Sequence, residues 1–157
     1  MDSAPGLGLR ADADGFHWAV VNGSRREPIL LAHDYAEAPR TYTEAQALAW
    51  CRARVHEIID VHKPQRVAIR YPEPISRGKG DGARRRCRIE GVLLEAAAWR
   101  NLPTHTGALV TIGKTLGTTA TGAKAYLDAE EFRNLDWNKL SHARREAILI
   151  GVGALEE

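Results

Sequence analysis

The chain has 157 residues, of which 44% are hydrophobic and 27% are charged, and its formal net charge is +2. These values are typical of one soluble globular domain and argue against a disordered, fibrous or membrane-spanning protein. No apolar run approaches the roughly 20 residues that a membrane span needs, and the amino terminus lacks the basic-then-apolar order of a signal peptide. We therefore expect a single domain over residues 1–157, flexible at residues 1–5, in the cytoplasm and without a membrane partner.

Three strands are predicted at the start of the chain. Leu7–Arg10 and Phe16–Val21 are short runs rich in apolar residues, and Asp14-Gly15 between them is a turn signal. Asn22-Gly23 is a second turn signal, and Ile29–His33 follows as a third apolar run. This part of the sequence therefore predicts a three-stranded antiparallel meander.

A helix and a fourth strand are predicted next. Thr43 with Gln46 three residues later has the form of a capping box, and apolar residues recur at helical spacing over 48–62. Pro64 ends this helix, because proline cannot continue the hydrogen-bonded ladder. Arg66–Tyr71 is then a short apolar strand that precedes further prolines.

The carboxyl-terminal half predicts a helix, a fifth strand and two more helices. Apolar residues over 89–100 recur at i, i+3, i+4 and i+7, as in an amphipathic helix. Ala108–Ile112 is a short apolar run that predicts a strand, and Thr121–Asn134 predicts a helix. A last helix is predicted over Ser141–Leu155, with the serine as its N-cap.

This order of elements predicts an α/β fold. Its sheet has five strands, three antiparallel and then parallel ones, and is flanked by helices. Right-handed crossovers place the later strands parallel to the first. Because ligands of such sheets bind beyond the carboxyl ends of the parallel strands, we expect the candidate site near Arg10, Arg70 and the loop after Pro72.

The basic residues are concentrated in one segment. Residues 77–90 hold six basic and two acidic residues, a net +4, which leaves 16 basic and 18 acidic residues in the rest of the chain. Such a cluster attracts anions, although a solvated basic loop is an equally frequent explanation. The segment follows the fourth predicted strand, so it should leave the sheet at the candidate site.

Several motifs resemble the RuvC Holliday-junction resolvases of the ribonuclease H superfamily. Residues 112–127 (IGKTLGTTATGAKAYL) are similar to that family's glycine-rich turn leading into a lysine-bearing helix, and residues 142–148 (HARREAI) resemble its last helix. The likeness covers most of residues 6–155. The chain is also similar to a small uncharacterised bacterial family of this superfamily, in which a strand ending in Ile-Arg runs into a Lys-Gly-rich loop, as Ile69-Arg70 and Gly78-Lys79-Gly80 do here.

The chain departs from the resolvase pattern at the catalytic positions. As the resemblance implies them, the catalytic residues of active resolvases are an aspartate at the end of the first strand, a glutamate at the end of the fourth and two acidic residues on the last helix. The corresponding residues here are Arg10, Arg70, Ala143 and Glu146. One carboxylate of four therefore remains.

This exchange changes what the cleft can bind. A two-metal nuclease site holds two divalent cations about 4 Å apart with oxygen ligands, whereas arginine has no lone pair and stays protonated. The guanidinium fork does match two phosphate oxygens. Two hypotheses for Arg10 and Arg70 follow: they grip a backbone phosphate, or they form a buried ion pair with Glu146 or Glu90.

Three functions remain open. The first is a catalytically silent module that binds nucleic acid, with DNA favoured by the resemblance, and that needs no cofactor. The second is a nuclease that uses Mg²⁺ or Mn²⁺ on the displaced carboxylates Asp12, Glu73 and Glu146. The third is a scaffold for a protein partner or a homodimer. In the first, the phosphate contacts are Arg10, Arg70, Lys79, Arg84, Arg85, Arg86, Arg88, Lys114 and Lys124.

Overall fold

The computed structural model describes residues 4–73 and 80–157. Its main sheet contains β1 (Gly6–Ala11), β2 (Gly15–Gly23), β3 (Pro28–Glu37), β4 (Arg66–Arg70) and β5 (Thr104–Gly107). The strand order is β3-β2-β1-β4-β5. The first three strands are antiparallel to one another, while β4 is parallel to both β1 and β5. This topology confirms the predicted mixed five-stranded sheet.

In the described ranges, five helices flank the sheet. They are α1 (Glu44–His62), α2 (Asp81–Trp99), α3 (Leu109–Thr115), α4 (Ala120–Asp128) and α5 (His142–Gly153). The predicted caps are present, because the Thr43 side chain accepts a hydrogen bond from the Gln46 amide and the Ser141 side chain accepts one from the Arg144 amide. Within the described part of the chain, no helix is both long and apolar enough to cross a membrane.

Two sequence predictions concern the chain start and the basic loop. Of the residues predicted to be flexible, 1–3 lie outside the described ranges, whereas the Pro5 carbonyl accepts a hydrogen bond from the Gln65 amide at 2.9 Å. The predicted phosphate contact Lys79 also lies outside the described residues.

The predicted fifth strand is wrong. The apolar run at 108–112 belongs largely to α3, and the strand is the more polar segment before it, β5. A short apolar run cannot be assigned to a strand or a helix by periodicity alone. Here the helical spacing decides, because Ile112 and Leu116 are buried four residues apart while Val110, on the preceding turn, is exposed.

The helix predicted over 121–134 is too long. It ends at Asp128, and the residues after it form a two-stranded ribbon, β6 (Glu131–Phe132) and β7 (Leu135–Asp136). The ribbon is fixed by aromatic packing, since Phe132 stacks on Trp137 with ring centroids 5.3 Å apart. The Trp137 indole also donates a hydrogen bond to the carbonyl of Ala129 at 2.9 Å, directly after the end of α4.

The core has two layers, one on each face of the sheet. Leu7, Leu9 and Phe16 pack beneath α1 and α2. On the opposite face, Ala19 and Val21 pack beneath α5, beside which α3 and α4 lie. The alternation of side chains along β1 and β2 therefore divides their residues between two helical layers.

Two glycines set the position of α5 on the sheet. A Cβ atom at Gly8 would overlap the carbonyl oxygen of Ala147, and a Cβ atom at Gly151 would lie 3.2 Å from the backbone nitrogen of Gly8. The backbones of β1 and α5 are therefore in direct contact. This contact carries the first turns of α5 over the end of β1, where Glu146 lies above the sheet.

Candidate functional site

The candidate site lies where β1 and β4 end, which we call the carboxyl edge. Helices α1, α2 and α5 are among those that begin there: Arg88 of α2 pairs with Glu44 at the start of α1, Gly82 of α2 lies against Ala13, and α5 runs antiparallel to β1. Since the amino terminus of a helix carries partial positive charge, the three helices together favour anions at this edge.

Arg10, Arg70 and Glu146 form a closed ionic contact at the carboxyl edge. Arg10 Nε donates to Glu146 Oε2 at 2.8 Å, and Arg70 Nε donates to Glu146 Oε1 at 3.0 Å. The side chains of Arg70 and Glu146 are each only 6% exposed. Both carboxylate oxygens of the one remaining acidic residue are thus held by guanidinium groups.

The remaining nitrogens of Arg70 are also bonded. Its Nη1 donates to the carbonyl of Tyr71, and its Nη2 donates to Glu73 Oε1 at 2.8 Å. Glu73 Oε1 in turn accepts a hydrogen bond from the amide of Leu109 at 3.2 Å. Arg70 is therefore fully occupied by the protein's own acceptors.

A second buried pair lies beside the first. Arg86 Nε donates to Glu90 Oε2 at 3.2 Å, one turn apart on α2. Burial raises the pKa of Glu90 and lowers the pKa of Arg86, and the nearby charge of Arg10 lowers that of Arg86 further. We call Arg10, Arg70, Arg86, Glu90 and Glu146 the ionic cluster.

The sequence left two hypotheses open for Arg10 and Arg70, a contact with a backbone phosphate or a buried ion pair. In the structure both arginines pair with Glu146. Arg10 keeps a 20% exposed side chain and can still present a guanidinium nitrogen to solvent. Arg86 Nη2 is buried without a hydrogen-bond partner in the described part of the chain. Arg70 is the least exposed of the cluster arginines, whereas the side chains of Arg10 and Arg86 are 20% and 18% exposed.

The displaced carboxylates are engaged in local structure. Asp12 Oδ1 accepts hydrogen bonds from the amides of Asp14 and Gly15 at 2.8 and 2.9 Å and from the hydroxyl of Tyr35 at 2.8 Å. The residues described contain no group of three or more histidine, cysteine or acidic side chains that could hold a metal ion. Glu73 and Glu146 do lie close together, since both contact Arg70 Nη2, at 2.8 and 2.9 Å, but Asp12 does not complete a group of three with them. Ala143 on α5 has no side chain that could act as a ligand.

The arginines at the start of α2 are largely paired within the protein. Arg85 Nη2 lies 3.0 Å from Asp14 Oδ1, and Arg88 Nη1 lies 2.9 Å from Glu44 Oε2. Arg84 is exposed in the first turn of α2, one residue before Arg85. The basic segment is therefore less free to bind anions than its sequence indicates. Ion pairs between residues of different elements cannot be predicted from the composition of one segment.

Lys114 and Lys124 do not lie together with these arginines. The predicted glycine-rich turn around Lys114 is part of α3, which begins at the carboxyl edge where the Leu109 amide meets Glu73. The helix then runs away from the edge, since Thr115 packs against Gly153 near the end of α5. Lys114 is exposed at its far end, and Lys124 is exposed in the middle of α4.

An arginine held by two histidines is a feature that the sequence did not indicate. Arg144 Nε donates to His17 Nδ1 at 3.0 Å, and Arg144 Nη1 lies 2.8 Å from His33 Nδ1. Burial, followed by the nearby charge of Arg144, lowers the pKa of His17 to about 4. His17 is paired with Arg10 across β1 and β2, so this contact borders the ionic cluster. The sequence signal that could have predicted this contact is His17, a polar residue at a position of β2 that faces α5.

A cavity of about 560 Å³ opens beside the ionic cluster at the carboxyl edge. It lies between the β1–β2 turn, the start of α1 and the start of α2. Among the side chains that line it are Arg40, Tyr42, Asp81 and Arg85. The cavity is large enough for a nucleotide unit, since ligand pockets typically span about 300–1,000 Å³.

Solved structures of two resolvases are similar to this chain. RuvC of Thermus thermophilus is 16% identical, covering 95% of this chain and 92% of its own, with a TM-score of 0.78. T. thermophilus RuvC in complex with a Holliday junction substrate is 15% identical, with coverage of 96% and 91% and a TM-score of 0.73. The yeast mitochondrial Holliday junction resolvase is 11% identical, with coverage of 96% and 78% and a TM-score of 0.55.

No protein-family model matches the chain, and no curated protein does. The structural likeness nevertheless defines the class of fold, which is a ribonuclease-H-like domain. More particularly, the fold is that of RuvC, because the likeness to the RuvC structure extends over nearly the whole of both chains. The fold and the resemblance predicted from the sequence are thereby confirmed.

Proposed function

We propose that this chain is a RuvC-type module that binds nucleic acid, DNA in the first place, without cutting it, and that it acts in the cytoplasm. The observation that carries the proposal is the pairing of both Glu146 carboxylate oxygens with Arg10 and Arg70. A carboxylate engaged in this way is not available as a metal ligand.

The charge at this position also opposes a divalent cation. Metal coordination requires oxygen ligands within tenths of an ångström of their ideal distances. Here two guanidinium groups occupy the positions around Glu146, and neither can lose its proton under ordinary conditions. A magnesium ion would have to break two ion pairs and lie beside two fixed positive charges.

Nucleic acid fits the carboxyl edge through its phosphates. Helices α1, α2 and α5 begin there. The N-cap of α2 is Gly80, which has no side chain that could accept hydrogen bonds from the first amides of the helix. Arg84, with Arg10, Arg85 and Arg88 nearby, supplies charge for backbone contacts, which set the position of a protein on nucleic acid. We assign Arg70 and Arg86 to holding the edge together rather than to direct contact.

The solved neighbour in complex with a Holliday junction supports DNA, and branched DNA in particular, as the ligand. Lys79 comes two residues before Asp81, the first residue of α2, in the sequence, so we include it among the proposed contacts. Lys114 and Lys124 are more distant, and they would meet phosphates only of a duplex that extends past α3 and α4.

The binding test compares two double variants by fluorescence anisotropy with a four-way junction and a duplex. Arg84→Ala with Arg85→Ala should weaken binding and make the slope of log affinity against log salt shallower by about 0.9 for every phosphate that the variant no longer neutralises. The matched control, Arg26→Ala with Lys63→Asn, removes two exposed charges at the opposite edge and should bind like the original chain. Equal affinities for the two double variants would contradict the proposed surface.

The cleavage test incubates the chain with junction, duplex and single-stranded DNA in Mg²⁺ and in Mn²⁺. We expect binding without product. Cleavage by the original chain would overturn the silent module. If that cleavage disappears in Glu146→Ala while the circular dichroism spectrum shows a folded variant, the nuclease with Asp12, Glu73 and Glu146 as ligands of Mg²⁺ or Mn²⁺ is favoured.

A second candidate is a scaffold for a protein partner or a homodimer. The ion pairs at Arg85, Arg86 and Arg88 favour it, because they neutralise much of the basic segment. Trp99 on α2 and Val61 on α1 are also exposed large apolar side chains. A chain that fails to bind DNA at low salt yet elutes as a dimer in size-exclusion chromatography with light scattering would establish this alternative.

A further inference from the structure

A second cavity of about 480 Å³ lies away from the carboxyl edge. It is enclosed by the edge strand β5, by α3 and by the end of α5. It exists because α5 covers β1 and β2 and only part of β4, and because the residues facing it are small: Ala68 on β4 and Gly153 and Ala154 at the end of α5.

The cavity has an apolar base and a polar rim. Ala68, Ile112 and Ile150 line it and are buried, each at most 6% exposed. The rim contains two arginines, Arg25 and Arg66, and several threonines of β5 and α3. This division suits a ligand that has an apolar ring at one end and a charged group at the other.

Arg25 is the main sign of a missing partner. Its Nε is buried and makes no hydrogen bond within the described ranges. The main-chain amide of Arg25 donates to the carbonyl of Glu156 at 2.9 Å, so the residue is fixed at the cavity by its backbone. Nε itself is out of reach of the cavity, but the Arg25 side chain lines the cavity and makes no ion pair with any described residue, so its positive charge would attract an anion bound there.

Arg66 adds a second guanidinium group at the same rim. Its Nη1 donates to the carbonyl of Ala154 at 2.9 Å, which orients the side chain. Its other contact is with the exposed Glu156 carboxylate at 3.5 Å, a long and solvated pair that an incoming anion can replace. Two guanidinium groups beside one cavity match the oxygens of a phosphate group.

We propose that this cavity binds a phosphorylated small molecule of mononucleotide size, with its ring on the apolar base and its phosphate between Arg25 and Arg66. The site is separate from the nucleic-acid surface proposed at the carboxyl edge. It does not depend on that surface, and it assigns a role to an arginine that the ionic cluster does not use.

Isothermal titration calorimetry tests the proposal with three probes: a purine mononucleotide, the same nucleoside without phosphate, and inorganic phosphate. We expect saturable 1:1 binding of the mononucleotide, weaker binding of phosphate and little of the nucleoside. Arg25→Gln should weaken mononucleotide binding by about tenfold or more, since it removes charged hydrogen bonds. Arg26→Gln, the exposed neighbour, should leave binding unchanged.

A blocking variant keeps the test decisive if Arg25→Gln also alters folding. Thr111→Phe places a ring at the cavity from an exposed position of α3 and should abolish mononucleotide binding while the circular dichroism spectrum is unchanged. Binding that survives both variants, or that disappears in Arg84→Ala with Arg85→Ala instead, would overturn the proposal. So would the absence of saturable binding by the mononucleotide.

Discussion

Glu146 is a buried carboxylate whose two oxygens are both bonded to arginines of the same chain. In a metal site its carboxylate would bind cations from solution, whereas here it binds two cations that belong to the chain. Its 6% exposed side chain has been removed from water. Burying the three charges is costly, and their mutual attraction offsets that cost only while the set is complete.

Removing Glu146 should therefore be far more harmful than removing a glutamate from a surface pair. We expect Glu146→Ala to lower the free energy of unfolding by about 3–5 kcal/mol, because the buried Arg70 loses one of its two carboxylate partners and the partly buried Arg10 loses its carboxylate partner. The matched control is Glu95→Ala, which breaks the pair with Arg52 on the exposed surface of the helices and should be much milder. Urea unfolding measures both, and similar losses would show that the ionic cluster is not a buried unit.

His17 should make the stability of the folded chain depend on pH. Its pKa is about 4 in the folded chain, against an ordinary value of 6.5, so below pH 6.5 the unfolded chain takes up a proton that the folded chain refuses. Stability should consequently fall as the pH drops from 6.5 towards 4. His33, whose pKa is also lowered by burial, adds to the effect.

A variant separates this histidine from other titrating groups. His17→Asn keeps an oxygen that can accept the hydrogen bond of Arg144 but does not titrate. Urea midpoints measured from neutral pH down to about pH 4.5 should fall less in His17→Asn than in the original chain. A steeper fall in the variant would contradict a neutral His17.

Helix α5 and strand β1 are the two elements on which the site depends. Their contact through Gly8 and Gly151 fixes how far Glu146 lies from the strand ends that carry Arg10 and Arg70. A larger side chain at the contact would move the helix away from the sheet. The ionic cluster would then lose its bonding distances together with the packing.

Two glycine-to-alanine variants test this contact. Gly8→Ala should reduce stability by about 2 kcal/mol or more, because its Cβ atom has no space against the backbone of α5. Gly91→Ala, in α2, meets no atom within 4 Å and should stabilise the chain by about 0.5–1 kcal/mol through helix propensity. A calorimetric melting temperature of Gly8→Ala equal to or above that of the original chain would disprove the close contact.

Local signals predicted most elements but failed where packing decided. The capping box of Thr43 and the N-cap Ser141 are interactions between neighbours in the chain, so the sequence contains them. Residues 108–112 and 129–134 were misassigned because their structure depends on distant partners. The aromatic pair Phe132 and Trp137 and the burial of Ile112 are examples.

At the scale of the whole molecule, topology brought Arg10 and Arg70 together as the sequence predicted, since both lie where strands end at one edge. Their acceptor was not determined, because Glu90 and Glu146 were both candidates and the choice depends on how α2 and α5 lie on opposite faces. The contact of Arg144 with two histidines of different strands was missed for the same reason. Pairing between elements is a property of the folded chain.

The ionic cluster has a further consequence for the molecule as a whole. A site formed by carboxylates that need magnesium is complete only when the ion is bound, so its structure depends on the magnesium concentration. Here Arg10, Arg70 and Glu146 assemble the edge from amino acids alone. Its geometry is set at the moment of folding, so neither a chelator nor a medium poor in divalent ions should change it.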